Sequence, residues 1–173
     1  MKKLLSLSGI LILALVAHSA MAEGRYQIEL VIFAQHMPNT ELFDQTQSQI
    51  QWPKRVVDLS TFAEVSPENR ILNGAYGVLS RSAGYHPLMH VSWVQAIGPN
   101  RIGDAVRIQG ANGAIDGFVR IQRGQYLTLI VDLEYQPGVN RYYRLHEKRR
   151  IKFNETHYLD HPKFGVIAKV RPL

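Results

Sequence analysis

IDGFVRIQRGQYLTLIVDLEYQPGVNRYYRLHEKRRIK, residues 115–152, decides the fold. Ile115 to Gln122 and Tyr126 to Tyr135 read as strands, and Arg123-Gly124 between them is a tight hairpin signal. Gln136-Pro137-Gly138-Val139-Asn140 then turns the chain into another long strand starting at Arg141. Taken literally, that five-residue turn sets Tyr135 opposite Arg141, Leu133 opposite Tyr143 and Val131 opposite Leu145, an apolar face toward the core. The opposite face of the new strand carries Tyr142, Arg144, His146, Lys148, Arg150 and Lys152, with Asp132 opposite Arg144 as a cross-strand pair. Successive members of this basic row stand about 6.6 Å apart. Glu147 and Arg149 turn inward in this register, so a bulge or an early strand end is expected near them.

The pattern extends in both directions. Arg25 to Gln35 is a strand in which Tyr26, Ile28, Leu30, Ile32 and Ala34 share one face. Val31 and Phe33 imply burial of its other face as well. Residues 36–66 read as a long irregular excursion. Ser66-Pro67-Glu68 reads as a helix start, with a Ser cap, Pro at the first helical position and an acid in the first turn. Leu72, Ala75, Leu79 and Ala83 follow at helical spacing, and Gly84 ends the run. His86 to Ile97 is a strand, Gly-Pro-Asn a turn, Val106 to Gln109 a short strand, and Phe164 to Arg171 the last strand. One helix among several strands with short connections predicts an α+β single domain, mainly an antiparallel β-sheet with one principal helix over about 67–83.

Composition narrows the setting. The chain has 173 residues, 20 Lys+Arg, 14 Asp+Glu and no cysteine. Lys2 and Lys3, the apolar run Leu4 to Val16 and Ala20-Met21-Ala22 form a secretory signal over residues 1–22, predicting cleavage after Ala22. Residues 23–173 then form one exported domain. No later apolar segment approaches the length of a membrane helix, so no membrane insertion is expected. Without cysteine there is no disulfide, no Cys-ligated zinc and no thiol nucleophile. Export also argues against nucleic acid as the partner of a basic chain. Residues 101–173 carry thirteen Lys/Arg against seven Asp/Glu, whereas residues 23–100 carry five against seven.

Three segments stand out together: Tyr26-Gln-Ile-Glu-Leu-Val-Ile-Phe33; Ser82-Ala-Gly-Tyr-His-Pro-Leu-Met-His-Val-Ser-Trp-Val-Gln95; and Arg149-Arg150 followed by Glu155-Thr-His-Tyr-Leu-Asp-His-Pro-Lys-Phe-Gly165. In this order they resemble the CsiV family of Gram-negative periplasmic proteins. The family motif falls on Trp93, Glu155, His157, Tyr158, Asp160, His161, Pro162 and Gly165, which are expected to be structural. The resemblance implies periplasmic localisation, peptidoglycan binding and support of wall synthesis through an LpoA-like outer-membrane lipoprotein activator of a class A penicillin-binding protein. It implies no catalytic residues and no cofactor. The chain departs from the family pattern at Gln125-Tyr126-Leu127-Thr128, where Arg-Tyr-Leu-His is common, and at Phe153-Asn154.

Two other classes of function compete. Glu155-x-His157-x-x-Asp160-His161 concentrates imidazoles and carboxylates as a metal-assisted hydrolase would. Pro162 biases His161 away from helix, and the alternative is a turn shaped by side chain to backbone bonds. Asp132 and Glu134 share one strand face, yet paired carboxylates of a glycosidase need a defined separation. No Gly-x-Ser-x-Gly elbow or phosphate loop is present. The third class is a pure protein-interaction module whose basic row meets an acidic partner. His90 to Trp93 could stack on a sugar, although Trp93 between Val91 and Val94 reads first as core.

Overall fold

The computed structural model describes residues 24–36, 45–110 and 112–173. The expected signal, residues 1–22, lies outside them. Eleven strands are described: β1 Gly24–Gln35, β2 Val56–Asp58, β3 Ala63–Glu64, β4 Tyr85–Ile97, β5 Arg101–Ile102, β6 Ala105–Arg107, β7 Ile115–Arg123, β8 Leu127–Gly138, β9 Arg141–Ile151, β10 Thr156–His161 and β11 Phe164–Pro172; the α-helix α1 is Asn73–Ser80. They form two sheets. The first runs β10-β11-β1-β4-β3; the second runs β2-β6-β7-β8-β9, with β5 beside β7. All pairings are antiparallel except β2 with β6. The α+β reading holds, with the single predicted sheet resolved into two.

The sheets face each other across one core. Tyr26, Ile28, Leu30, Ile32 and Trp93 from the first meet Val119, Ile121, Leu129, Val131, Leu133 and Leu145 from the second. These positions alternate along each strand, so period-2 patterning alone delivers the apolar face. β1 is the centre of its sheet and is buried on both sides. Val31 and Phe33 on its outer face form a second cluster with Leu72 and Leu79 of the helical segment. The layers are therefore helix, sheet, sheet. Gly117 lets β7 lie close to β8: it takes φ +143°, and a Cβ there would come within 2.2 Å of the Asp132 carbonyl oxygen.

The helix is shorter than its sequence pattern. Pro67–Asn69 makes only a turn of 3-10 helix, the Ser66 side chain forms no cap, and Arg70 is extended. The cause is a buried carboxylate. Glu29 on β1 is fully buried and accepts the Ile71 and Leu72 backbone amides, each at 2.7 Å. Arg70 in turn donates to the His90 carbonyl at 2.8 Å and to Glu64 at 2.9 Å. These long-range bonds pull the chain out of helical register just before Asn73, and Ser80 ends the helix before Ala83 is reached.

Candidate functional site

The register of the β8–β9 hairpin differs from the five-residue turn by two residues. Gly138 pairs with Arg141, leaving Val139-Asn140 as a tight loop, and Tyr135 pairs with Tyr143, Leu133 with Leu145 and Val131 with Glu147. Asn140 takes φ 53°, as such a loop requires. The missing slack is a β-bulge at Gln136 and Pro137, where proline could not donate to the ladder anyway. A shift of two preserves side-chain parity, so the predicted row stays on the outer face. The bulge expected near Glu147 and Arg149 does not occur, and β9 runs unbroken to Ile151. Those two side chains pair with each other at 2.6 Å, and Arg149 also donates to the Tyr158 carbonyl of β10, closing the margin where the two sheet edges meet.

Four ranks cross the outer face of β7, β8 and β9: Asp116–Glu134–Arg144, Phe118–Asp132–His146, Arg120–Ile130–Lys148 and Gln122–Thr128–Arg150. The acids of the first two ranks are all engaged. Asp116 takes a bidentate grip from Arg107 at 3.0 and 2.9 Å. Asp132 sits opposite His146 rather than Arg144, yet Arg144 reaches it diagonally and bidentately at 2.7 and 2.8 Å. This bond and the pull of Glu134 raise the Arg144 pKa further above its ordinary value. Residues 45–51 lie over the same half of the face as a strap. The Gln49 amide and the Gln45 side chain both donate to Glu134 at 2.7 Å, the Gln51 amide donates to Asp132 at 3.1 Å, and the Tyr142 amide donates to the Gln45 carbonyl. Asp132 and Glu134 are buried under it, as structural anchors for the strap.

The other half is open and basic. His146, Lys148 and Arg150 are exposed, and His146 and Lys148 make no ion pair among the described residues. Arg150 lies over the Tyr126 ring, 3.3 Å from its centre. Arg120 joins them from β7, half-buried, donating to the Gly103 carbonyl at 3.0 Å. Two members of the predicted row do not belong to this patch as free cations. The Arg144 side chain is only 15% exposed and is committed to Asp132. Lys152 follows the end of β9 and pairs with Glu155 at 3.3 Å. Tyr142 is half-buried where the strap begins. Arg120 escaped the sequence reading, although carrying the parity across the Arg123-Gly124 hairpin would have found it.

The Glu155–Gly165 segment is not the turn expected of it. Thr156–His161 is an edge strand paired with β11, and only Pro162-Lys163 turns. Alternation sends His157 and His161 to the side of buried Leu159 and sends Asp160 with Tyr158 to the opposite side. Asp160 accepts from the Tyr158 hydroxyl at 2.6 Å and from Gln35 at 2.8 Å, while His157 sits 3.3 Å from the Lys152 amide and His161 accepts the Lys163 amide at 3.1 Å. Among the described residues no three His, Asp or Glu side chains are grouped to hold a metal ion. Burial, then the bond to Asp160, raises the Tyr158 pKa well above that of an ordinary phenol. Trp93 lies in the core with its indole N–H on Gln95 at 3.3 Å. His90 bonds buried Glu29 at 2.8 Å beneath Tyr76, which stacks on it.

The fold and face define a two-sheet β core with an open basic surface, and comparison with known families gives the class a name. A family model for CsiV, a peptidoglycan-binding protein, matches residues 43–173. The chain belongs to the CsiV family of peptidoglycan-binding proteins. The matched stretch includes the whole second sheet and the helix but not β1. Neither a curated protein nor a solved structure matches the chain.

Proposed function

We propose that this protein is a non-enzymatic periplasmic adaptor that binds peptidoglycan through the open half of the β7–β9 face. The observation carrying this reading is the separation of charge on one sheet face. Every acid there is covered or paired, while Arg120, His146, Lys148 and Arg150 remain together beside the strap. Peptide stems of the wall, and lactyl groups from which the stem has been cut, carry carboxylates that such cations grip by charge-assisted hydrogen bonds. Bound to the wall, the protein supports its synthesis by engaging an LpoA-like outer-membrane lipoprotein activator of a class A penicillin-binding protein. Residues 1–22 direct export and are removed after Ala22.

Co-sedimentation with purified sacculi tests the binding step. The protein is expected in the pellet at low salt and progressively in the supernatant past about 0.15 M, where exposed charges are screened beyond roughly 8 Å. Equal recovery in both fractions at low salt would remove the reading. Capture of the lipoprotein activator from detergent-solubilised envelopes tests the partner, and the amino terminus of the periplasmic protein, expected to be Glu23, tests export.

A further inference from the structure

The open basic face ends at an aromatic side chain in each direction along its strands. Toward the strap stands Trp52, the residue that follows the last strap contact. Its ring lies 6.0 Å from Phe118 and carries the Arg107 guanidinium 5.4 Å from its centre. Toward the β7–β8 hairpin stands Tyr126, held by Arg150. Trp52 is 43% exposed and Tyr126 is 47% exposed, although aromatic rings of this size ordinarily bury most of their area. From Phe118, which touches Trp52, to Gln122, whose rank carries Arg150, is four strand residues, about 13 Å. Arg120, Lys148 and the aliphatic side chain of Ile130 lie between, with no exposed acid.

We infer that Trp52 and Tyr126 are sugar-stacking platforms, and that the ligand spanning them is the glycan backbone of the wall rather than its peptide stems. This rests on the proposed peptidoglycan-binding face and specifies what lies on it. A pyranose ring presents a face of C–H bonds that packs on an aromatic plane, and its hydroxyls remain free to hydrogen-bond at the rim. The guanidiniums of Arg107 and Arg150 hold the two rings in place, so little side-chain entropy is lost when a sugar settles. Between the rings, Lys148 and Arg120 meet the lactyl carboxylates of the amino-sugar chain, which become free when the amide joining each to its stem is cut. A peptide ligand would use the cations alone and leave both rings bare.

The protein holds two tryptophans, and Trp93 is buried in the core, so a ligand-induced change in emission reports Trp52. The probe is stem-free glycan strands released from sacculi by amidase, with the released stem peptides as the second arm. Glycan strands are expected to shift Trp52 emission saturably, and stem peptides to leave it unchanged. Trp52→Ala and Tyr126→Ala are each expected to weaken strand binding about tenfold, with Tyr126→Phe restoring it. Melting temperatures of the variants separate lost stacking from lost fold. Wild-type protein that sediments with sacculi while both alanine variants sediment equally well would overturn the stacking inference and leave the binding face standing. Emission that responds to stems and not to strands would do the same. Failure of the wild type to sediment at all would overturn both.

Discussion

Gly165 shows how a single residue in the family motif acts through packing. A Cβ added there would come within 2.7 Å of the Phe33 ring and 2.8 Å of the Tyr158 ring, which stack on each other at 6.0 Å. The cost of a side chain there is overpacking between two aromatics and not backbone strain. Gly165→Val is expected to cost about 1–3 kcal/mol in chemical denaturation, whereas His157→Ala, which gives up one bond to the Lys152 backbone, should cost about 1 kcal/mol or less. Beside Gly165, Tyr158 carries a pH signature. Its folded pKa is raised by burial, so the stability it contributes is complete below the unfolded phenol value of about 10 and is lost as pH climbs through the folded value. Between about pH 10 and that folded value the wild type is expected to lose stability more steeply than Tyr158→Phe. Parallel curves would show that the phenol is not the group responsible.

At the scale of elements, the strap and the β8–β9 hairpin form one unit through buried charge. Among the described residues, removing Arg144 leaves buried Asp132 with the Gln51 amide as its remaining hydrogen-bond partner. Arg144→Ala is expected to destabilise by about 3–5 kcal/mol, as loss of one partner of a buried ion pair does. Lys148→Ala, one step along the same strand face, should fall within about 0.5 kcal/mol of wild type. Urea titrations of the two variants make the comparison, and equal midpoints would refute the distinction between structural and free cations. The helix obeys the same logic on the opposite side of the molecule. Its start is dictated by Glu29 reaching the Ile71 and Leu72 amides, so a buried acid on a central strand overrides the capping signal at Ser66.

For the whole molecule, the two outer faces have different fates. Among the described residues, α1 and Leu72 pack on the outer face of the first sheet at Val31 and Phe33, and residues 45–51 cover half of the outer face of the second. The uncovered half is where cations collect, and function is assigned there. Reversal of Lys148 and Arg150 to Glu is expected to abolish sacculus binding with little change in melting temperature, because both side chains are exposed. Arg144 is excluded from that variant, since its loss would unfold the strap and confuse the result. A double reversal that still sediments with sacculi at low salt would move the binding surface elsewhere.

Much of this was legible in the chain itself. Alternation and turn signals determined that β1, β4, β7, β8 and β9 are strands, and for β1, β8 and β9 which side chains turn inward, because parity is a local property that survives a register slip of two. For the same reason the basic row of β9 was placed on the correct face from an incorrect turn. Tertiary structure decided what parity cannot express. It divided the strands between two sheets, buried Asp132 and Glu134 beneath a segment eighty residues earlier, and drew Arg144 out of the row to neutralise one of them. It likewise separated His157 from Asp160 across an edge strand and set Trp52 beside Phe118. Each of these depends on desolvation and contact between distant segments, and such energies are absent from any local window of sequence.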